Sequence, residues 1–272
     1  MQRPQRHEPG TAPGFFLHRS VSQPRFFVDA PLVGGESIRL PDDVAHHALR
    51  VLRLRAGAPI VLFNGRGGEC PAALRVDGGT VLAQLGAFDP IERESPLHLT
   101  LIQALVAADK LDWIVEKSVE LGVGRILVAC MQRSVVRLDA ARAVRRVKHW
   151  TDVARAASCQ CGRNRVPSVE FYAGFDAVLA AVPAGQPRLL LLPTAAAAIF
   201  TAVTGDRAAL MVGPEGGFSE LEVAQSARAG FVAVRLGPRV LRAETAGLAA
   251  IAALQAGRGD LAHAAAPFEA TG

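Results

Sequence analysis

The chain has 272 residues, of which 50% are hydrophobic and 20% charged, enough apolar material for one large or two ordinary domains and the wrong composition for an intrinsically disordered protein. Its net charge of +5 and pI near 9.5 are a mild basic excess, compatible with a polyanionic partner. That excess is local: residues 125–165 hold ten Lys or Arg against Asp139 and Asp152, a balance of +8 that leaves −3 for the rest.

In chain order, residues 1–23 carry Pro, Arg and His without a continuous apolar stretch; this excludes a secretory signal and predicts a flexible extension. Short β-type runs follow at 26–28, 37–40, 59–63, 70–76 and 80–88, punctuated by Gly, Pro and Asp, the spacing of a small barrel. One helix interrupts them at 42–52. It sets Val44, Ala48, Val51 and Leu52 on one face and His47, Arg50 and Arg53 largely on the other. A polar hinge at 89–96 ends this part. Strands at 97–105, 125–131, 168–172, 188–192, 208–212 and 232–236 then alternate with helices at 110–121, 140–158, 175–181, 219–229 and 244–256. Such alternation predicts a parallel sheet covered by helices on both faces, with ligands beyond the carboxyl ends of its strands. The expected layout is an extension over 1–23, a barrel over 24–93, an α/β domain over 94–260 and a flexible tail over 261–272.

The apolar runs are too short or too interrupted to cross a bilayer, which takes about 20 residues, so no membrane role is expected. Cys70, Cys130, Cys159 and Cys161 form no CxxC pair and have no matching His cluster. Neither a metal site nor a disulfide framework is expected, which fits a reducing, cytoplasmic location. Trp113 and Trp150 occupy apolar helical positions and read as core or interface.

Two loops concentrate the chemistry. Residues 210–219, LMVGPEGGFS, run from a buried strand through a Gly-rich turn into a helix, with Ser219 and Glu222 spaced as a capping box. No Gly-Lys-Ser or Gly-Lys-Thr follows, which excludes a phosphate-binding Walker loop, and no GxGxxG follows a first strand, which excludes a Rossmann fingerprint. Residues 236–246, LGPRVLRAETA, again link strand to helix. Here Leu236, Val240 and Leu241 offer apolar walls, and Arg242 and Glu244 place opposite charges at a helix start.

The strings GPEGGFS and LGPRVLRAETA, with PRFFV at 24–28, HHALRVLRL at 46–54, EKSVELGV at 116–123 and CQCGRNRVP at 159–167, closely resemble the RsmE family of SPOUT-class methyltransferases, which methylate N3 of a uridine in 16S small-subunit ribosomal RNA. The resemblance runs in order from about residue 25 to 260. It implies an N-terminal PUA-like β-barrel and a SPOUT-type knotted α/β domain with a parallel sheet. It further implies S-adenosylmethionine as cofactor, a homodimer, and 16S rRNA or the assembled small subunit as partner.

Carried onto this chain, the cofactor residues are Leu192 and Pro193 of a first loop, Gly213, Pro214, Glu215 and Gly217 of a second, and Leu236, Gly237, Leu241 and Thr245 of a third. Related proteins often carry His before the first Pro, where this chain has Leu192. Arg242 is the expected stabiliser of a uridine anion; Glu244 either accepts the N3 proton or orients Arg242. RNA contact is expected from Arg142, Arg145, Arg146 and His149 on the long helix, from Arg163 and Arg165 beyond it, and from Arg50 and Arg53 in the barrel. Two other readings remain: an assembly factor of this fold without catalysis, and a methyltransferase of the same fold with another RNA target.

Overall fold

A computed structural model describes residues 23–262; of the extension expected over 1–23 and the tail expected over 261–272, residues 1–22 and 263–272 lie outside the described residues. The first sheet comprises β1 (Arg25–Phe27), β2 (Ser37–Arg39), β3 (Pro59–Phe63), β4 (Cys70–Asp77) and β5 (Thr80–Leu85), in the order β1-β3-β4-β5-β2. It wraps a compact core of Phe26, Val28, Leu40, Ala48, Ile60, Leu62, Leu74 and Leu85. The helix expected over 42–52 divides into a short α1 (Asp42–His46) and a π-turn at His47–Val51. That wider turn keeps Ala48 fully buried in the barrel core while leaving His47, Arg50 and Arg53 exposed.

The second sheet has seven strands in the order β10-β12-β9-β11-β6-β7-β8, every pair parallel. In sequence these are β6 (His98–Ala104), β7 (Val123–Ala129), β8 (Ser168–Tyr172), β9 (Arg188–Leu191), β10 (Ala197–Ala198), β11 (Arg207–Val212) and β12 (Phe231–Arg235). Helices α2 (Ala108–Glu120), α3 (Ala140–Cys161) and α6 (Ala243–Arg258) cover one face through Leu111, Ile114, Trp150, Ala154, Ile251 and Leu254. Helices α4 (Phe175–Ala181) and α5 (Glu220–Arg228) cover the other through Val178, Leu179 and Val223. Trp150 is core, as expected; Trp113 is 44% exposed.

The chain builds outward from β6 to β7 and β8, then crosses back to lay β9, β11 and β12 on the opposite side of β6. Because all strands are parallel, the loops that follow β12, β9, β11 and β6 leave four adjacent strands at one end of the sheet. A reversal of strand order of this kind opens a crevice at the carboxyl ends, where ligands of open α/β sheets bind.

The segment expected to be a polar hinge is pinned on both sides. Ile91 O accepts from Asn164 Nδ2 at 2.8 Å, Arg93 Nη1 donates to Gly162 O at 3.1 Å and to Glu69 Oε2 at 2.9 Å, and Glu92 pairs with Arg165 at 3.0 Å. Arg25 of β1 reaches across to Glu69 and to Asn164 Oδ1, the latter at 2.6 Å. The barrel is therefore locked to the α/β domain by a polar seam rather than hung from a linker.

Candidate methyl-donor cavity and basic groove

A cavity of about 370 Å³ opens where the four loops converge, inside the size range of small-molecule sites. Its walls include Leu191, Leu192, Pro193, Val212, Phe218, Leu236, Val240 and Leu241, and its charged lining is Lys110, Glu215, Arg239, Arg242 and Glu244. Local sequence explains the shape. At Gly213 a Cβ would stand 2.9 Å from the Phe218 ring, so only glycine lets the chain leave β11 and turn back over that side chain. The turn then enters α5 through the capping box: Ser219 Oγ accepts from Glu222 N at 3.2 Å while Glu222 Oε2 accepts from Ser219 N at 2.9 Å. Glu222 Oε1 also accepts from Gln132 N at 2.7 Å, which fixes this loop to the one after β7. At Gly217 and Gly237 no atom lies within 4 Å of where a side chain would begin, so bare backbone faces open space.

The structure gathers Leu192, Pro193, Gly213, Pro214, Glu215, Gly217, Leu236, Gly237, Leu241, Arg242 and Glu244 around this one cavity. Thr245 is the exception. It is exposed on α6 and outside the lining, because one step along a helix turns a side chain about 100° away from its neighbour. Arg242 and Glu244 do not pair with each other. Among the described residues the Arg242 side chain makes no ion pair, and the partner of Glu244 is Lys110, whose Nζ lies 3.4 Å from Glu244 Oε2 and 3.1 Å from Glu215 Oε1. Those carboxylates, Glu215 foremost, push the Lys110 ammonium above its ordinary pKa, so it stays charged. Sequence reading missed Lys110; the available signal was its place in the first turn after a strand carboxyl end, one strand away from the Gly-rich loop.

The profile of the family described as "RNA methyltransferase domain" matches residues 93–255, and that of an "RNA methyltransferase PUA domain" matches 40–85. The chain belongs to the RNA methyltransferase family. This methyltransferase is 31% identical over 219 residues to the ribosomal RNA small subunit methyltransferase E of Bacillus subtilis, covering 77% of this chain and 86% of that protein. It is 32% identical over 237 residues to the enzyme of the same name from Mycobacterium bovis, covering 84% and 90%. Among solved structures it resembles a Neisseria gonorrhoeae ribosomal RNA small subunit methyltransferase E bound to S-adenosyl methionine, with TM-score 0.81 and 38% identity over 88% of this chain and 99% of that one. A Legionella pneumophila structure described as a methyltransferase with bound cofactor SAM aligns with TM-score 0.83 and 32% identity over the same shares. The barrel of this methyltransferase is thus PUA-like and its larger domain has the SPOUT-like α/β fold.

A second concavity, about 570 Å³, runs along α3 and the segment before it, lined by Val136, Arg137, Leu138, Arg142, Arg145, Arg146 and His149. The expected helix face is therefore present, with Arg137 added to it. His149 is held by Asp112 at 2.8 Å and Arg142 by Asp139 at 3.3 Å, while Arg145 and Arg146 make no ion pair among the described residues.

Arg163 is a correction. It is 4% exposed, paired with Glu94, and donates to Val119 O at 2.9 Å and Val123 O at 2.8 Å. A guanidinium buried with its donors satisfied holds the seam and is not offered to phosphate. Arg165 keeps half its side chain exposed beside Glu92. Arg50 and Arg53 are exposed in the barrel. Of the positive window, Arg125 is held by Glu170, and Arg155 by Asp152 and the Phe27 ring; the uncommitted charge is concentrated in the α3 groove. Among the described residues no His, Cys, Asp and Glu cluster suits a metal ion, and no helix is long and apolar enough to cross a membrane.

Proposed function

We propose that this chain transfers a methyl group from S-adenosylmethionine to N3 of a uridine in 16S small-subunit ribosomal RNA, acting as a homodimer with the knotted chain path of SPOUT enzymes. The observation that carries the reading is the cavity itself. Two loops with family-specific strings and a third from the strand between them line one space, in a fold whose relatives were solved with that donor. The space suits the donor: apolar walls for its flat and aliphatic parts, bare backbone at Gly217 and Gly237, and an acidic pair at one side. When bound, the donor supplies an electrophilic methyl group on a sulfonium.

The chain's own residues then have several tasks. Leu192, Val212, Leu236 and Leu241 keep water from the reacting atoms, and the converging loops align nucleophile and methyl group. Uracil N3 carries a proton that must depart as the new N–C bond forms. Glu244 is the acceptor that suits this, since its Oε2 is buried and its one partner is the long ion pair to the Lys110 ammonium at 3.4 Å. Arg242, unpaired at the cavity mouth, would steady the negative charge on the uracil oxygens. Phosphates of the RNA would lie along Arg137, Arg142, Arg145 and Arg146, with Arg50 and Arg53 of the barrel as a second contact.

The test is transfer of labelled methyl groups from S-adenosylmethionine to small ribosomal subunits lacking the modification, with nucleoside analysis of the product. Appearance of 3-methyluridine is expected. Donor binding without transfer would point to a different RNA target, and absence of both would leave an assembly factor that keeps the fold without the chemistry.

A further inference from the structure

Lys110, Glu215 and Glu244 form a closed ionic trio on one wall of the cavity, and nothing in the methyl-transfer chemistry above requires all three. Their members come from three different elements: the first turn of α2, the loop after β11, and the first turn of α6. One ammonium between two carboxylates leaves a net charge of −1. Lys110 and Glu244 are partly sheltered from bulk solvent, with side chains 28% and 17% exposed, whereas Glu215 is more open at 39%. Glu244 Oε2 is fully covered and accepts no hydrogen bond, so its charge is compensated only by the Lys110 ammonium 3.4 Å away. The positive groups that share the cavity are Arg239 and Arg242. Both are exposed on the loop at its mouth, where solvent screens them and where a bound RNA would neutralise them.

A net anion on the wall of a cavity that takes a sulfonium has a consequence for the reaction cycle. The donor enters with a positive sulfur. Methyl transfer leaves a neutral thioether in the same place, and the attraction to the wall disappears with the charge. We infer that the Glu215–Lys110–Glu244 trio is a charge discriminator: it favours the sulfonium donor over its thioether product, and Lys110 sets the strength of that preference by cancelling one of the two carboxylates. This rests on the methyl-donor reading of the cavity and adds to it a specificity role for Lys110 and Glu215.

The experiment is calorimetric titration of the full-length protein, without RNA and at about 0.15 M ionic strength, where salt screens the exposed arginines, with S-adenosylmethionine and separately with S-adenosylhomocysteine, for the wild type, Glu215→Gln and Lys110→Met. The quantity read is the ratio of the two dissociation constants. Removing a unit charge from this wall of the cavity should change that ratio by roughly five- to tenfold. Glu215→Gln lowers the preference for the sulfonium, and Lys110→Met, which leaves both carboxylates uncompensated, raises it. Mere distortion of the cavity would weaken both ligands in proportion and leave the ratio alone. An unchanged ratio in both variants, with both ligands still bound, would overturn the discriminator. Failure of the wild type to bind either ligand would instead defeat the methyl-donor reading.

Discussion

Glu222 ties the donor loop to the rest of the domain with three hydrogen bonds from one carboxylate. It caps α5 reciprocally with Ser219 and holds the backbone N–H of Gln132, and it is only 3% exposed while doing so. Replacement by Ala keeps the Ser219 Oγ cap on the N–H of residue 222 but removes the reciprocal half of the capping box, stranding the buried N–H of Ser219 as well as that of Gln132, and an unsatisfied buried N–H costs about 1–3 kcal/mol. Glu222→Ala should therefore lower stability by about 1–3 kcal/mol in denaturant titration and weaken donor binding, because residues 213–217 lose their anchor. Glu222→Gln keeps one acceptor for the cap and should lose less than half as much. Equal losses in the two variants would mean that carboxylate charge, not acceptor geometry, holds the loop. Arg163 makes the opposite point at the same scale. Its position in a basic string suggests phosphate contact, yet burial against Glu94 and two carbonyls turns it into a bracket.

Helix α3 carries the exposed charge of the basic groove because two demands on it fall on different sides. Trp150, Ala154, Ala157 and Ser158 are buried at helical spacing, which turns Arg142, Arg145, Arg146 and His149 outward together. Asp139 starts the helix by accepting from Arg142 N at 2.8 Å, and Gly162, at φ +85°, ends it in the left-handed conformation. Neutralising Arg145 and Arg146 together should weaken 16S rRNA binding and flatten its salt dependence, lowering the slope of log K against log salt by about 1.4–1.8 if both face phosphates. Donor affinity, measured alongside, should not move. An unchanged slope would remove α3 from the RNA surface.

The periodicity that exposes this face was readable in the sequence, as were the strands and most helices, since burial on one face imposes its own spacing. Less was readable where the decisive partner is distant. The end of α3 runs three residues past the expected Ser158 because its stop is the backbone of Gly162. The two-residue β10 sits in an alanine-rich stretch that gives no strand signal and exists only through β12 beside it. For the cavity, the loops following β11 and β12 were visible as strings and the loop following β9 came only with the family resemblance, but the fourth contributor, Lys110, was not visible, because only the strand order places β6 next to β11.

At the scale of the whole molecule, the seam between barrel and α/β domain holds the exposed Arg50 and Arg53 of the barrel in a fixed register with the cavity. Its centre is Glu69, 9% exposed and gripped by Arg25 of the barrel and Arg93 of the connecting segment. Burial pushes the Glu69 carboxyl up, but hydrogen bonds from Arg93 and Arg25 and their charges outweigh it and hold the group below its ordinary value of 4.5. A folded-state pKa below the unfolded one gives stability that is complete above 4.5 and is lost as pH falls through the folded value. Glu69→Gln should consequently cost about 2 kcal/mol near neutral pH, where it leaves two partly buried guanidinium groups under-compensated. The difference between wild type and variant should shrink as pH falls below 4.5 and vanish once the wild-type carboxyl is protonated. Thermal unfolding of both proteins across that range reads the difference directly, and a gap that persists unchanged at acid pH would assign the loss to shape rather than charge. In the same variant at neutral pH, donor affinity should stay at the wild-type level while methyl transfer to the small subunit falls. The cavity lies within one domain, whereas Arg50 and Arg53 sit in the other, so a loosened seam would be felt by transfer to RNA and not by donor binding.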